Sequence, residues 1–124
     1  MTAGPMRVLI VERDVAMARL LRHILTLLGH EVCGAAASLD QALDQIQDLR
    51  PDLLTVEPDL DAPGDGADLA IRAYWNWGIR SLFIGSRIER RMLDETAGIE
   101  AVGYLQKPVS AADLRAALAK VPAP

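Results

Sequence analysis

Cysteine occurs once in the 124 residues, at Cys33, so the chain can form neither an internal disulfide framework nor a cysteine-based zinc site. An excess of positive charge is also missing. The 13 basic residues against 17 acidic ones leave a formal charge of −4, which removes the electrostatic reason to expect nucleic acid as a general partner. No apolar run approaches bilayer-spanning length, so no membrane partner is expected. The opening Met1 to Met6 lacks the apolar core of a signal peptide and reads as a flexible tail. A Gly-rich phosphate loop, a Ser/His/Asp set and a metal-ligand cluster are absent as well. The expectation is one cytoplasmic domain over residues 1–124, with a real core and no separate output domain.

What the chain does have is a set of short apolar runs that end in charge. Leu53-Leu54-Thr55-Val56-Glu57, entered through Pro51-Asp52 and left through Pro58, reads as a fully buried strand whose last side chain emerges at the rim of a sheet. Arg7 to Val11 is a second such strand and ends at Glu12-Arg13-Asp14. Ser81 to Ile84, leading into Gly85-Ser86, and Ala101 to Leu105, leading into Gln106-Lys107-Pro108, are two more. Glu31 to Ala36 is a weaker strand, supported mainly by the helices around it.

Helical spacing fills the intervals. From Val15 to Leu28, Met17, Leu20, Leu21, Ile24 and Leu28 recur on one face, with Asp14 placed to cap and Gly29 to terminate. His23 lies off that stripe and reads as a surface residue. Ser38-Leu39-Asp40-Gln41 has the form of a capping box ahead of a helix that Pro51 stops. A helix with a basic outer side is expected over Arg87 to Thr96, and Ser110 caps a last one through Leu118. In the helix expected over Ala67 to Trp77, Leu69, Ala70, Ala73 and Trp77 share one face at 100° per residue. Ile71, Tyr74 and Trp75 form a second stripe, a candidate partner surface. The loop Asp59 to Gly66 begins like a calcium loop, but Pro63 and Ala70 stand where oxygen ligands are required.

Five strands alternating with five helices imply an α/β fold: a doubly wound five-stranded parallel sheet of order 2-1-3-4-5. Its strand carboxyl ends line one edge, where Glu12 to Asp14, Glu57, Gly85-Ser86 and Lys107 converge.

Over nearly its whole length the sequence resembles the receiver domain of bacterial two-component response regulators, a flavodoxin-like (βα)5 fold. The resemblance rests on Val8-Leu9-Ile10-Val11-Glu12 with acid at Asp14, on the central strand ending at Glu57, on the loop Asp59 to Gly66, and on Gly103-Tyr104-Leu105-Gln106-Lys107-Pro108. It implies a site at which a sensor histidine kinase donates a phosphoryl group to an Asp ending the third strand. Magnesium is held by that Asp and an acidic pair, a hydroxyl after the fourth strand grips the phosphoryl oxygen, and a Lys precedes a Pro that is a cis candidate.

Set against that pattern, Glu57 stands at the phosphoacceptor position, Arg13 replaces the second acid of the pair, and Gly85 replaces the hydroxyl, while Glu12, Tyr104, Lys107 and Pro108 are retained. Glu12 and Glu57 are then balanced by Arg13 and Lys107, so a divalent cation gains little, and Arg13 is expected to offer a fork of donors to Glu57 or Glu12. Asp14 adds negative charge one place further on without restoring the pair, and Ser86 reaches the hydroxyl position only if the loop shifts. The expected function is a phosphorylation-independent receiver, not an enzyme, with no cofactor and with magnesium absent or weak. It is expected to act by binding a protein such as a sensor kinase or another signalling protein, or by forming a homodimer. The alternatives are a conventional receiver using Asp14 or Asp59 and a small-molecule binder on the same sheet.

Overall fold

A computed structural model describes residues 4–122. Its five strands are β1 (Arg7–Val11), β2 (Glu31–Ala36), β3 (Leu53–Val56), β4 (Arg80–Gly85) and β5 (Gly103–Gln106). They form one parallel sheet in the order β2-β1-β3-β4-β5, as the alternation of elements implied. The helices are α1 (Val15–Leu27), α2 (Leu39–Leu49), α3 (Asp65–Trp77), α4 (Arg90–Glu95) and α5 (Ala111–Leu118).

Side chains alternate across the sheet and build two cores. Val8, Ile10, Leu53, Leu82 and Ile84 pack with Leu21, Ile24 and Leu25 of α1 and Leu114 and Leu118 of α5. Leu9, Val11, Leu54, Val56 and Phe83 pack on the other face with α2, α3 and Met92 of α4. Each buried Leu, Ile or Val contributes about 1.5–3 kcal/mol on this basis. Both faces are covered, so the strands read as unbroken apolar runs.

The caps follow the sequence closely. Asp14 accepts from the N–H groups of Ala16 and Met17, Gly29 lies at φ 92° just past α1, and Ser110 and Asp113 form a reciprocal capping box. Ser38 Oγ accepts from the Gln41 N–H, but Gln41 Oε1 takes the N–H of Ala37, one residue before the position a capping box would use.

Four expectations need correction. The tail reading of residues 1–6 fails at its end: Met6 is buried and its N–H donates to His30 Nδ1 at 3.1 Å, while residues 1–3 lie outside the described residues. The helix expected over Arg87 to Thr96 starts only at Arg90, and the Thr96 hydroxyl donates back to the Met92 carbonyl at 2.7 Å, where the helix gives way to a 3-10 turn over Ala97–Ile99. The last strand begins at Gly103 rather than Ala101, because the chain first turns through Glu100 at φ 51°. The second stripe of α3 is mostly covered. Ile71 and Tyr74 pack against the core, and Tyr74 Oη donates to Glu100, leaving Trp75 exposed at 70%.

Candidate functional site at the carboxyl edge of the sheet

The register of the central strands brings the acids together. Val11 pairs with Val56, so Glu12 and Glu57 leave the sheet side by side, and the Glu57 N–H donates to the Val11 carbonyl at 2.9 Å. Across the sheet Gly85 pairs with Gln106, and the Lys107 N–H donates to the Gly85 carbonyl at 2.8 Å, which aims Lys107 back over the strand ends. The peptide between Lys107 and Pro108 is cis.

Lys107 Nζ approaches Glu12 Oε1 to 2.6 Å and Glu57 Oε1 to 3.6 Å. The contact with Glu12 is close but lacks hydrogen-bond directionality, so it is a charge–charge contact. Glu12 Oε2 accepts the Asp14 N–H at 3.1 Å. The Glu57 carboxylate accepts the Arg13 N–H at 3.4 Å. Asp14 itself is committed to capping α1 and Ser86 is exposed, so neither completes the cluster.

Burial pushes the Glu57 carboxyl up to about 7, helped by a hydrogen bond to Glu12 and by its charge, while Lys107 and the Arg13 N–H pull the other way. Glu57 therefore takes up and releases its proton near neutrality. The consequence for stability has a definite sign. Between pH 4.5 and about 7 the unfolded chain gives up this proton while the folded chain keeps it, so stability falls as pH rises through that window and is flat above it. Burial lowers the pKa of His30 from 6.5, which contributes a slope of opposite sign. Urea midpoints of wild type and Glu57→Gln across the same pH range isolate the Glu57 contribution: the wild type declines more steeply with rising pH, and equal slopes would refute it.

Arg13 departs from the fork expected of it. Its side chain is 58% exposed, its Nη1 donates to the Leu60 carbonyl at 3.1 Å, and only Nε nears Glu57 Oε1, at 4.0 Å. The guanidinium spans the site and the following loop instead of clamping a carboxylate, because the Leu60 carbonyl competes for it. Among the described residues no three His, Cys, Asp or Glu side chains are grouped so as to hold a metal ion.

Two features escaped the sequence reading. The Pro58 ring packs directly on Gly85: a Cβ there would lie 2.7 Å from Pro58 Cδ and 3.0 Å from Cγ. A second glycine closes the other side, since a Cβ on Gly66 would meet the Glu57 carbonyl oxygen and lie 2.7 Å from Pro58 Cα. Gly85 and the Pro after Glu57 were both visible in the sequence; their contact is set by the pairing of β3 with β4. The other feature is Thr96, fully buried, whose Oγ1 lies 2.7 Å from Tyr104 Oη while the Tyr104 ring stacks on Phe83 at 5.3 Å and 6°. No local spacing signals a pairing between residues 96 and 104.

Residues 8–119 match the profile of the response regulator receiver domain family. The signal receiver domain of a modulated diguanylate cyclase from Desulfovibrio desulfuricans G20 is similar at 31% identity and a TM-score of 0.84, over 93% of this chain and 91% of that one. A CheY-like receiver domain protein from Methanospirillum hungatei JF-1 is similar at 25% identity and a TM-score of 0.80, over 91% and 90%. The receiver domain of PhyR from Erythrobacter litoralis, at 24% identity and a TM-score of 0.79 over 93% and 88%, shares the fold. A search of curated proteins returned no match. With its parallel sheet, its acids at the carboxyl edge and a matching profile over most of its length, the chain belongs to the response regulator receiver domain family of two-component signalling.

Proposed function

We propose that this receiver works without phosphorylation, as a protein-interaction module whose acidic site is permanently neutralised. The observation that carries this reading is Lys107 Nζ at 2.6 Å from Glu12 and 3.6 Å from Glu57, with the Arg13 guanidinium on the outer side of Glu57. Lys107 and Arg13 balance Glu12 and Glu57, so the four groups sum to zero charge. A magnesium ion would have to displace Lys107 to coordinate the acids, so the residues present do not fit it.

Two further arguments support the reading. Glu57 carries one methylene more than the Asp its position takes in the family, which displaces the attacking oxygen by a distance that matters for in-line transfer. At Gly85 the Pro58 ring fills the space a phosphoryl-gripping hydroxyl would need. Asp14 is spent on its cap and Asp59 lies out in the loop beyond β3, which counts against a conventional acceptor at either. The cleft between the Pro58–Gly64 loop and α4 measures about 110 Å³, well below the roughly 300–1,000 Å³ of drug-sized ligand sites, which counts against a small-molecule role at that cleft.

Incubation with phosphoramidate and magnesium, read by intact-protein mass and peptide mapping, is expected to leave the domain unlabelled. An acid-labile phosphate on Glu57, Asp14 or Asp59 would end the proposal. The partners it implies are proteins, among them a sensor kinase, another signalling protein or a second copy of the chain.

A further inference from the structure

The direction of one hydrogen-bond chain can be worked out from its atoms. Thr96 has a single hydroxyl hydrogen, and Oγ1 donates it to the Met92 carbonyl at 2.7 Å. The 2.7 Å contact between Thr96 Oγ1 and Tyr104 Oη therefore has Tyr104 as the donor. The chain runs from Tyr104 on β5, through buried Thr96, to the backbone of α4. It holds the Tyr104 ring almost parallel to Phe83 on β4. Among the described residues Thr96 is the only hydrogen-bond partner of the Tyr104 hydroxyl.

We propose that Thr96 is a positioning residue that holds Tyr104 stacked on Phe83, so that the face formed by α4 and β5 keeps one conformation whatever occurs at Glu12, Glu57 and Lys107. This rests on the phosphorylation-independent reading and adds to it the contact that fixes Tyr104 on the α4–β5 face. The pieces are mutually supporting. Removing the acceptor strands a hydroxyl that then gains by turning out to water, and α4 loses the contact that ties its last turn to the sheet.

The chain holds one Phe and two Tyr, so ring-labelled protein gives a short, assignable aromatic spectrum, with Tyr74→Phe identifying the second tyrosine. Wild type is expected to show a strong ring-to-ring Overhauser effect between Phe83 and Tyr104. Thr96→Val, which keeps the shape and removes the hydroxyl, shifts the population of the stacked orientation about fivefold toward outward, the equivalent of one lost hydrogen bond. Thr96→Ser retains the wild-type pattern. Thr96→Ala supplies the same deletion with a smaller side chain if Thr96→Val does not fold. Wild-type ring shifts and Overhauser intensity in Thr96→Val, or in Thr96→Ala where the first variant is unfolded, overturn the proposal. Adding phosphoramidate and magnesium to the wild type in the same experiment separates the two ideas. Labelling with movement of Tyr104 refutes the phosphorylation-independent reading, whereas an unlabelled wild type beside an unaffected Thr96→Val refutes only the lock.

Discussion

Lys107→Met is expected to destabilise the domain by about 3 kcal/mol at neutral pH, the lower end of the cost of removing one partner from a buried ion pair. The reason is burial. The Glu12 side chain is 2% exposed and Glu57 9%, so neither recovers solvation when the ammonium goes. Met keeps most of the apolar stem, which confines the loss to charge. Two features of the result identify the cause. Lowering the pH reduces the loss, since protonation of Glu57 removes uncompensated charge. Glu12→Gln in the Lys107→Met background restores part of the stability. Urea unfolding measures both, and a loss below about 1 kcal/mol, the range of solvent-exposed pairs, contradicts the assignment.

Gly85→Thr, which installs the hydroxyl that the family resemblance leads one to expect after β4, is expected to cost about 1–3 kcal/mol by overpacking. The new Cβ would lie 2.7 Å from Pro58 Cδ, and a proline ring fused to the backbone cannot rotate away. Pro58→Ala removes Cγ and Cδ, so the double variant is expected to be more stable than the sum of the two losses allows. A coupling of about 1 kcal/mol or more is expected for a direct steric contact, and additivity within about 0.5 kcal/mol would show that the pair does not clash. This cycle also bears on how the chain came to its present form. With Pro58 in place, no single substitution at residue 85 supplies a hydroxyl without strain.

Much of this architecture was readable from the residues. Asp14, Ser110 and Gly29 marked their helix ends because capping chemistry is local. The strand order followed from alternation and handedness, and the convergence of Glu12, Glu57 and Lys107 followed from the strand order. What failed to show was contact between distant segments. Arg13 was expected to serve a carboxylate, yet the Leu60 carbonyl, 47 residues on, takes its Nη1. Ile71 and Tyr74 looked unpartnered on α3 until Glu100, 26 residues past Tyr74, supplied an acceptor for its hydroxyl. Thr96 shortened α4 through a bond to its own helix and found Tyr104 eight residues later, neither of which leaves a period in the sequence.

The most direct test of the neutralised pocket is a magnesium titration of the isotope-labelled domain followed at the backbone amides of Glu12 to Asp14, Glu57, Gly85 and Lys107. These amides are expected to show only the small, unsaturated drift of ionic strength, with the Lys107 ammonium still beside Glu12. Saturable shifts centred on Glu12 and Glu57, with Lys107 released, would mean that the pocket still recruits a divalent cation and that the account is wrong.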